Sequence, residues 1–206
     1  MIGIIDYGVG NIKSFENIYK GLNIPTKRVR QTTDLKGIDK LILPGVGSFD
    51  YAMEKYSASG LVDAVNELVT IQKVPILGIC VGMQMLAFDS EEGVMPGLGL
   101  IEGNVAKLSN NGAVEYSLPL PHMGWNSVSI SRDIPILSGV KNGASFYFLH
   151  SYYFKPINKR NTAGLTTYTQ EFASIVFDDN IVGVQFHPEK SHGNGILLLN
   201  NFAKLC

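Results

Sequence analysis

A short apolar run, Ile76–Ile79, leads directly into Gly78-Ile79-Cys80-Val81-Gly82. No other stretch constrains this chain as tightly. A strand that enters a G-x-nucleophile-x-G turn and leaves as a helix, here from Met83 to Phe88, lifts its central residue onto a strained elbow above the carboxyl edge of a sheet. Residues two positions away on either side must lack bulk, which is the steric reason for the two glycines. The helix start behind the turn offers unpaired N–H groups and a partial positive charge. Both favour negative charge on the sulfur or on a developing oxyanion. In this context Cys80 reads as a nucleophile rather than as a core cysteine.

The surrounding pattern supplies the sheet that such an elbow needs. Ile2–Ile5 is a buried first strand stopped by Gly8 and Gly10. Asn11 can cap a helix on which Phe15, Ile18, Tyr19 and Leu22 fall at helical spacing. Thr26–Val29 and Leu41–Leu43 read as further strands, the latter closed by Pro44-Gly45-Val46-Gly47, and Leu61, Val65, Leu68 and Val69 mark another helix. This alternation predicts an α/β fold with a central, mostly parallel sheet flanked by helices. From about Leu100 to Gln185 the segments become short and rich in Tyr, Phe, Val and Thr, which predicts additional strands, some antiparallel. A last helix, from about Asn194 to Leu205, should turn Ile196, Leu199 and Phe202 toward the core.

Composition sets the outer bounds. With 206 residues, 45% of them hydrophobic, and no linker-like tract, one domain over 1–206 is expected. Seventeen basic and eighteen acidic residues leave a net charge of −1, which argues against a nucleic-acid partner. Charged residues make up 17% of the chain, against roughly 25% for average soluble proteins; a buried partner face is one way to explain the deficit. No run approaches the roughly 18 apolar residues of a membrane span. The start Met1–Asp6 lacks the features of a signal peptide. Cys80 and Cys206 cannot form a disulfide framework, and no Asn-x-Ser/Thr acceptor occurs. A reducing, cytoplasmic setting is expected.

A cysteine nucleophile needs a base, and the base needs an orienting group. His187 ends the apolar strand that begins at Ile181 and is followed by Pro188-Glu189. With Pro188 forbidding a helix, the chain should stay extended, so that Glu189 lies on the same side as the imidazole. The segment His187–His192 fails the H-E-x-x-H spacing, so no metal is expected. An oxyanion would be held by backbone N–H groups, with Val81 as one donor and the Pro44–Gly47 strand end as the source of the second. Gly8-x-Gly10 and Gly45-x-Gly47 each begin a dinucleotide fingerprint, but Lys13 and Asp50 stand where the third glycine belongs. Nucleotide binding is discarded, and no cofactor is expected.

Cys80 within Gly78–Gln84, together with Gln185-Phe186-His187-Pro188-Glu189-Lys190-Ser191, closely resembles the class I (triad) glutamine amidotransferases. Four further segments narrow the likeness to those that serve as glutaminase subunits beside a (β/α)₈ cyclase in histidine biosynthesis. They are Asp6–Asn11, Pro44–Gly47, His122-Met123-Gly124-Trp125-Asn126 and Tyr147–Tyr152, and they span nearly the whole chain in order. The resemblance implies a Cys80–His187–Glu189 triad that hydrolyses L-glutamine to glutamate and ammonia. It implies an oxyanion hole from the Val81 and Val46 N–H groups, the latter reached by a reorientation of the Pro44–Gly47 strand end. It also implies glutamine binding by Gly47, Gln84, Glu92, Ser151 and Tyr152.

The resemblance further implies a heterodimer in which ammonia passes through the cyclase barrel, with Asn11, Trp125, Tyr147 and Lys190 near the interface. The imidazole glycerol phosphate and aminoimidazole carboxamide ribotide formed there belong to the partner's reaction. Glu92, one acid in Ser90-Glu91-Glu92, could equally be a solvated charge. A paralogous subunit feeding ammonia to a sugar-modifying synthase of surface-polysaccharide biosynthesis would use the same triad, and that alternative stays open. A non-catalytic scaffold on the same fold has no chemical need for all three triad residues.

Overall fold

The computed structural model describes residues 1–109 and 118–206. In chain order its elements are β1 (Ile2–Ile5), α1 (Ile12–Gly21), β2 (Thr26–Val29), β3 (Lys40–Gly45), α2 (Phe49–Ala58), α3 (Val62–Thr70), β4 (Ile76–Cys80) and α4 (Val81–Gln84). There follow β5 (Gly103–Lys107), β6 (His122–Ile130), β7 (Ala144–His150), β8 (Tyr152–Pro156), β9 (Thr162–Thr167), β10 (Glu171–Asp178), β11 (Ile181–Val184) and α5 (His192–Leu205).

Nine strands form one sheet in the order β2-β1-β3-β4-β11-β10-β9-β6-β7, and β5 pairs with β8 beside it. The β2-β1-β3-β4-β11 half is parallel throughout. The remaining pairings are antiparallel. The expected mostly parallel sheet with added antiparallel strands is therefore present. β1, β4 and β11 are buried along their whole length, as strands covered on both faces must be.

β4 is central, hydrogen-bonded to β3 on one side and β11 on the other, with Gly45 opposite Cys80 and Val184 opposite Ile79. The carboxyl ends of three strands therefore converge at one point: the turn after β3, the elbow after β4, and the segment running from Val184 to His187. β6 pairs with β9 only at Ser129 and Ile130, then runs alongside β7 from His122 to Val128. The end of β7 returns to the elbow, where the Leu149 carbonyl lies 3.8 Å from Cys80 Sγ.

Three local expectations need correction. α4 ends at Gln84 rather than running to Phe88, because residues 97–101 take the carbonyls that a longer helix would use: Leu98 N–H donates to Met85 O, Leu100 N–H to Leu86 O and Gly99 N–H to Ala87 O. α5 starts at His192, and it buries Leu198, Leu199 and Phe202 while Ile196 is 42% exposed. Asn11 precedes α1 but makes no side-chain capping bond.

The elbow glycines answer to close backbone contact. A β-carbon on Gly82 would sit 2.0 Å from the Leu43 carbonyl oxygen, and one on Gly78 2.6 Å from the Gly82 oxygen. Neither obstacle is a flexible side chain. Gly82→Ala should therefore destabilise the protein by roughly 3 kcal/mol or more, among the larger single-residue effects. Gly193→Ala, which meets nothing within 4 Å, should stay near neutral or gain slightly from helix propensity. Paired urea-unfolding curves test the contrast, and equal midpoints would refute it.

Candidate active site

Cys80 adopts φ +56° and ψ −113°, a conformation that costs a non-glycine residue of order 1–3 kcal/mol. Only a tightly packed surround holds it there. The four-residue α4 sums few peptide dipoles, so what the elbow offers an anion is individual N–H groups such as that of Val81 rather than a helix field.

His187 stands at the end of the segment after β11. Its backbone is fixed from two sides: its N–H donates to Tyr147 O at 2.8 Å, and its carbonyl accepts from Ser191 Oγ at 2.6 Å. Ser191 Oγ in turn accepts the Tyr147 N–H at 3.0 Å. Pro188 does not keep the chain extended as expected; it opens a single 3-10 turn, Pro188–Lys190, since its fixed φ suits the first helical position. Glu189 nonetheless comes beside the ring, with Oε1 3.0 Å from His187 Nδ1 and both side chains buried. Burial disfavours the imidazolium, but hydrogen bonds to Cys80 and Glu189 and the charges of both outweigh it, pushing His187 up to about 10. Cys80, His187 and Glu189 are thus assembled in sequence, sulfur to imidazole to carboxylate.

Cys80 and His187 open on a cleft of about 290 Å³ lined also by Val46, Gly47, Val81, Gln84, Glu92, Pro121, Leu149, His150, Ser151, Tyr152 and Lys190. Every residue expected to bind glutamine lies on this wall, as do both expected oxyanion donors. Glu92 is not a freely solvated charge: its Oε2 accepts the Phe49 N–H at 2.8 Å and so caps the start of α2. Asp50 in turn binds the Val94 and Met95 N–H groups and fixes the loop that carries Glu92. Gln84 Nε2 donates to Tyr152 O at 2.8 Å and to Gln185 Oε1 at 3.1 Å, leaving Oε1 as its remaining polar atom.

Of the four residues expected at an interface, Lys190 lines the cleft and Tyr147 and Trp125 lie next to it in turn. Lys190 Nζ lies 5.6 Å from the Tyr147 ring centre, and the Trp125 ring is 6.1 Å from Tyr147 and stacked on His192. α1, which follows Asn11, borders the Pro188–Lys190 turn. Trp125 is 50% exposed and Met123 61%.

The chain matches the model of the class-I glutamine amidotransferases over residues 3–205. It belongs to that family. This amidotransferase is 48% identical over 205 residues to the imidazole glycerol phosphate synthase subunit HisH of Leptospira borgpetersenii, covering 100% of both chains. It is 47% identical to the HisH subunit of Bdellovibrio bacteriovorus and 44% to HisH 2 of Pseudomonas aeruginosa, again over 100% of both chains. Among solved structures, a glutamine amidotransferase superposes with a TM-score of 0.73 at 20% identity, covering 98% of this chain and 96% of the other. PurLQS from Thermotoga maritima gives 0.73 at 15%, with the same coverage.

Three residues around this amidotransferase's cleft lie in the segments that narrowed the resemblance but were given no role from sequence. Tyr7 is buried and donates its hydroxyl to Pro44 O at 2.7 Å, holding the strand end that carries Val46; burial raises its phenol far above the usual range, followed by the effect of the Cys80 charge. His122 and His150 bond to each other at 2.9 Å under the cleft. Burial pushes His122 down to about 4. It also pushes His150 down to about 3, against the bond to the Tyr152 carbonyl and with the charges of His122 and His187 lowering it further.

Unfolding returns both imidazoles to about 6.5. Between about pH 6.5 and 4 the unfolded chain therefore takes up protons that the folded chain refuses. The stability that this pair supplies is complete above 6.5 and falls with pH, at a limiting slope of about 1.4 kcal/mol per pH unit for each histidine. His187 runs the other way: its contribution is complete below 6.5 and is lost as pH rises toward 10. His122→Phe should flatten the decline between pH 6.5 and 4.5 in a series of denaturant titrations. An unchanged slope would contradict a buried neutral pair.

Proposed function

We propose that this chain is the glutamine-hydrolysing subunit of an imidazole glycerol phosphate synthase, passing ammonia to a (β/α)₈ cyclase subunit in histidine biosynthesis, in the cytoplasm. We take residues 1–206 as one amidotransferase domain. The observation that carries the reading is the assembled Cys80–His187–Glu189 row at the base of the cleft, in a chain 44–48% identical to HisH subunits over its full length. Among the described residues no helix is long and apolar enough to cross a membrane. None of the relatives named above is called a sugar-modifying synthase, so the surface-polysaccharide reading is the weaker one.

The geometry supports the following chemistry. With its proton affinity raised by sulfur and carboxylate, His187 holds the proton that Cys80 gives up. The sulfur attacks the carboxamide carbon of glutamine, and the C=O electron pair moves onto oxygen. The Val81 N–H and the Val46 N–H hold that oxyanion. When the tetrahedral adduct collapses, the C–N bond breaks and His187 protonates the leaving nitrogen, releasing ammonia and leaving a glutamyl thioester. His187 then takes a proton from water, whose oxygen displaces the sulfur to give glutamate. Glu189 keeps the ring oriented and offsets its charge. Gly47, Ser151 and Tyr152 border the substrate, Gln84 Oε1 accepts from the substrate amide, and Glu92 faces the α-ammonium.

Ammonia escaping to water would be protonated and lost as a nucleophile, which makes a covered exit necessary. The exposed Trp125–Tyr147–Lys190 rim, with Asn11 nearby, is the face we assign to the cyclase. Cys80→Ala should lower glutamine-dependent product formation by the reconstituted pair roughly 10⁴-fold or more while leaving ammonia-dependent formation intact. Retention of glutaminase activity in this variant would remove Cys80 from the mechanism. Mixing with the cyclase should raise glutamine hydrolysis by orders of magnitude, and Trp125→Ala should weaken that response; full activity of the isolated chain would count against the coupled assembly.

A further inference from the structure

Gln185 is completely buried, and no step of the hydrolysis written above uses it. Its Nε2 lies 3.9 Å from Cys80 Sγ, and its Oε1 accepts from Gln84 Nε2 at 3.1 Å. Oxygen and nitrogen of a carboxamide look alike in outline, so the direction of these bonds must come from the partners. Here the partners leave no choice. The Tyr152 carbonyl is only an acceptor, and it is met by Gln84 at 2.8 Å and by His150 Nδ1 at 2.8 Å. Gln84 must therefore turn its NH₂ toward Tyr152, and the same NH₂ reaches Gln185. Gln185 must answer with its oxygen, which leaves its own N–H groups facing the sulfur.

The histidine arm is equally determined. His150 Nδ1 carries the hydrogen for Tyr152, so His150 Nε2 is an acceptor and His122 Nδ1, 2.9 Å away, is the donor. His122 Nε2 then accepts from Asn126 Nδ2 at 3.1 Å. Every ring nitrogen in this row has one partner and one role. The row exists only while both imidazoles are neutral, since a second ring proton would set donor against donor.

We propose that Gln185 is a catalytic residue of this site, donating its carboxamide N–H to the Cys80 sulfur, and that Gln84, His150 and His122 act as positioning residues that lock its orientation. A donor aimed at sulfur stabilises the charged nucleophile more than the neutral thiol. It also resists rotation of the side chain away from the cleft. The proposal rests on Cys80 being the nucleophile of the reaction above.

The test uses the complete chain and its second cysteine. Cys206 sits half-buried at the C-terminus and lines a separate cavity with Leu205 and Pro75, so it reports general changes in reactivity. Alkylation by iodoacetamide is followed across pH by mass spectrometry of the Cys80 and Cys206 peptides. In Gln185→Leu the pH at which Cys80 alkylation reaches half its plateau should rise by about one unit, and kcat for glutamine should fall about tenfold with KM little changed. Cys206 should alkylate as in the wild type. His187, whose charge is coupled to that of Cys80, and the neutral Tyr7 phenol, which feels the Cys80 charge, are left in place by the change.

If Gln185→Leu does not fold, Gln185→Met fills the same space without the amide and should show the same shift. His150→Leu should give a smaller shift in the same direction. An unchanged Cys80 profile in a folded Gln185 variant overturns the proposal. The two failures remain separable: glutamine hydrolysis surviving Cys80→Ala sinks the nucleophile reading, whereas the alkylation profile reports the Gln185 bond whether or not Cys80 is the nucleophile.

Discussion

The site depends on one strained residue. Cys80 turns the chain from β4 into α4 with a positive φ, and that turn can exist only because glycines at 78 and 82 let the backbone pass within contact of itself and of β3. The strain is held by parallel ladders on both sides of β4, which would have to separate for the turn to relax. Such an elbow is rigid at Cys80, so in the proposed reaction whatever motion is needed has to occur elsewhere. The strand end after β3 is the natural place, with Gly47 at φ +87° and with Val46 exposed at the mouth of the cleft.

That strand end is less free than its glycines suggest. Tyr7 grips the Pro44 carbonyl from below, and Glu92 holds the Phe49 N–H just beyond it. Between these two fixed points lie only residues 45 to 48. The Glu92 carboxylate thus both caps α2 and lines the cleft. His187, the proposed base, is anchored in a comparable way through the bonds among Tyr147, His187 and Ser191, so the imidazole is set by its neighbours rather than by its own rotamer alone.

Much of this was legible in the sequence, for identifiable reasons. Parallel strands buried on both faces read as short apolar runs, and an elbow with two glycines has a steric signature that survives without any structure. His187 and Glu189 are two residues apart, so local geometry alone nearly fixes their contact. Even there the reason differed, since a 3-10 turn rather than an extended segment brings them together. What could not be read were the particular bonds and registers that join distant segments. The length of α4 depends on carbonyls claimed by residues 97–101. The exposure of Ile196 depends on which stripe of α5 meets the sheet. The His122–His150 bond depends on the β6–β7 register, and Gln185 faces sulfur only because β11 lies beside β4. In the antiparallel half the alternation indicates strands without naming their partners.

A site that liberates ammonia releases a base into its own pocket, and any group titrating near neutrality would feel each turnover. The polar row beneath this cleft is insulated from that disturbance. His122 and His150 are held neutral well below working pH, at about 4 and about 3, and the remaining links are amides and a backbone carbonyl that do not ionise. The geometry of that row therefore does not change with protonation near neutrality. Of the imidazoles beneath the cleft only His187 is raised, to about 10, and in the proposed reaction it alone carries the proton that leaves with the nitrogen, so the residues that shape the pocket stay as they were for the next glutamine.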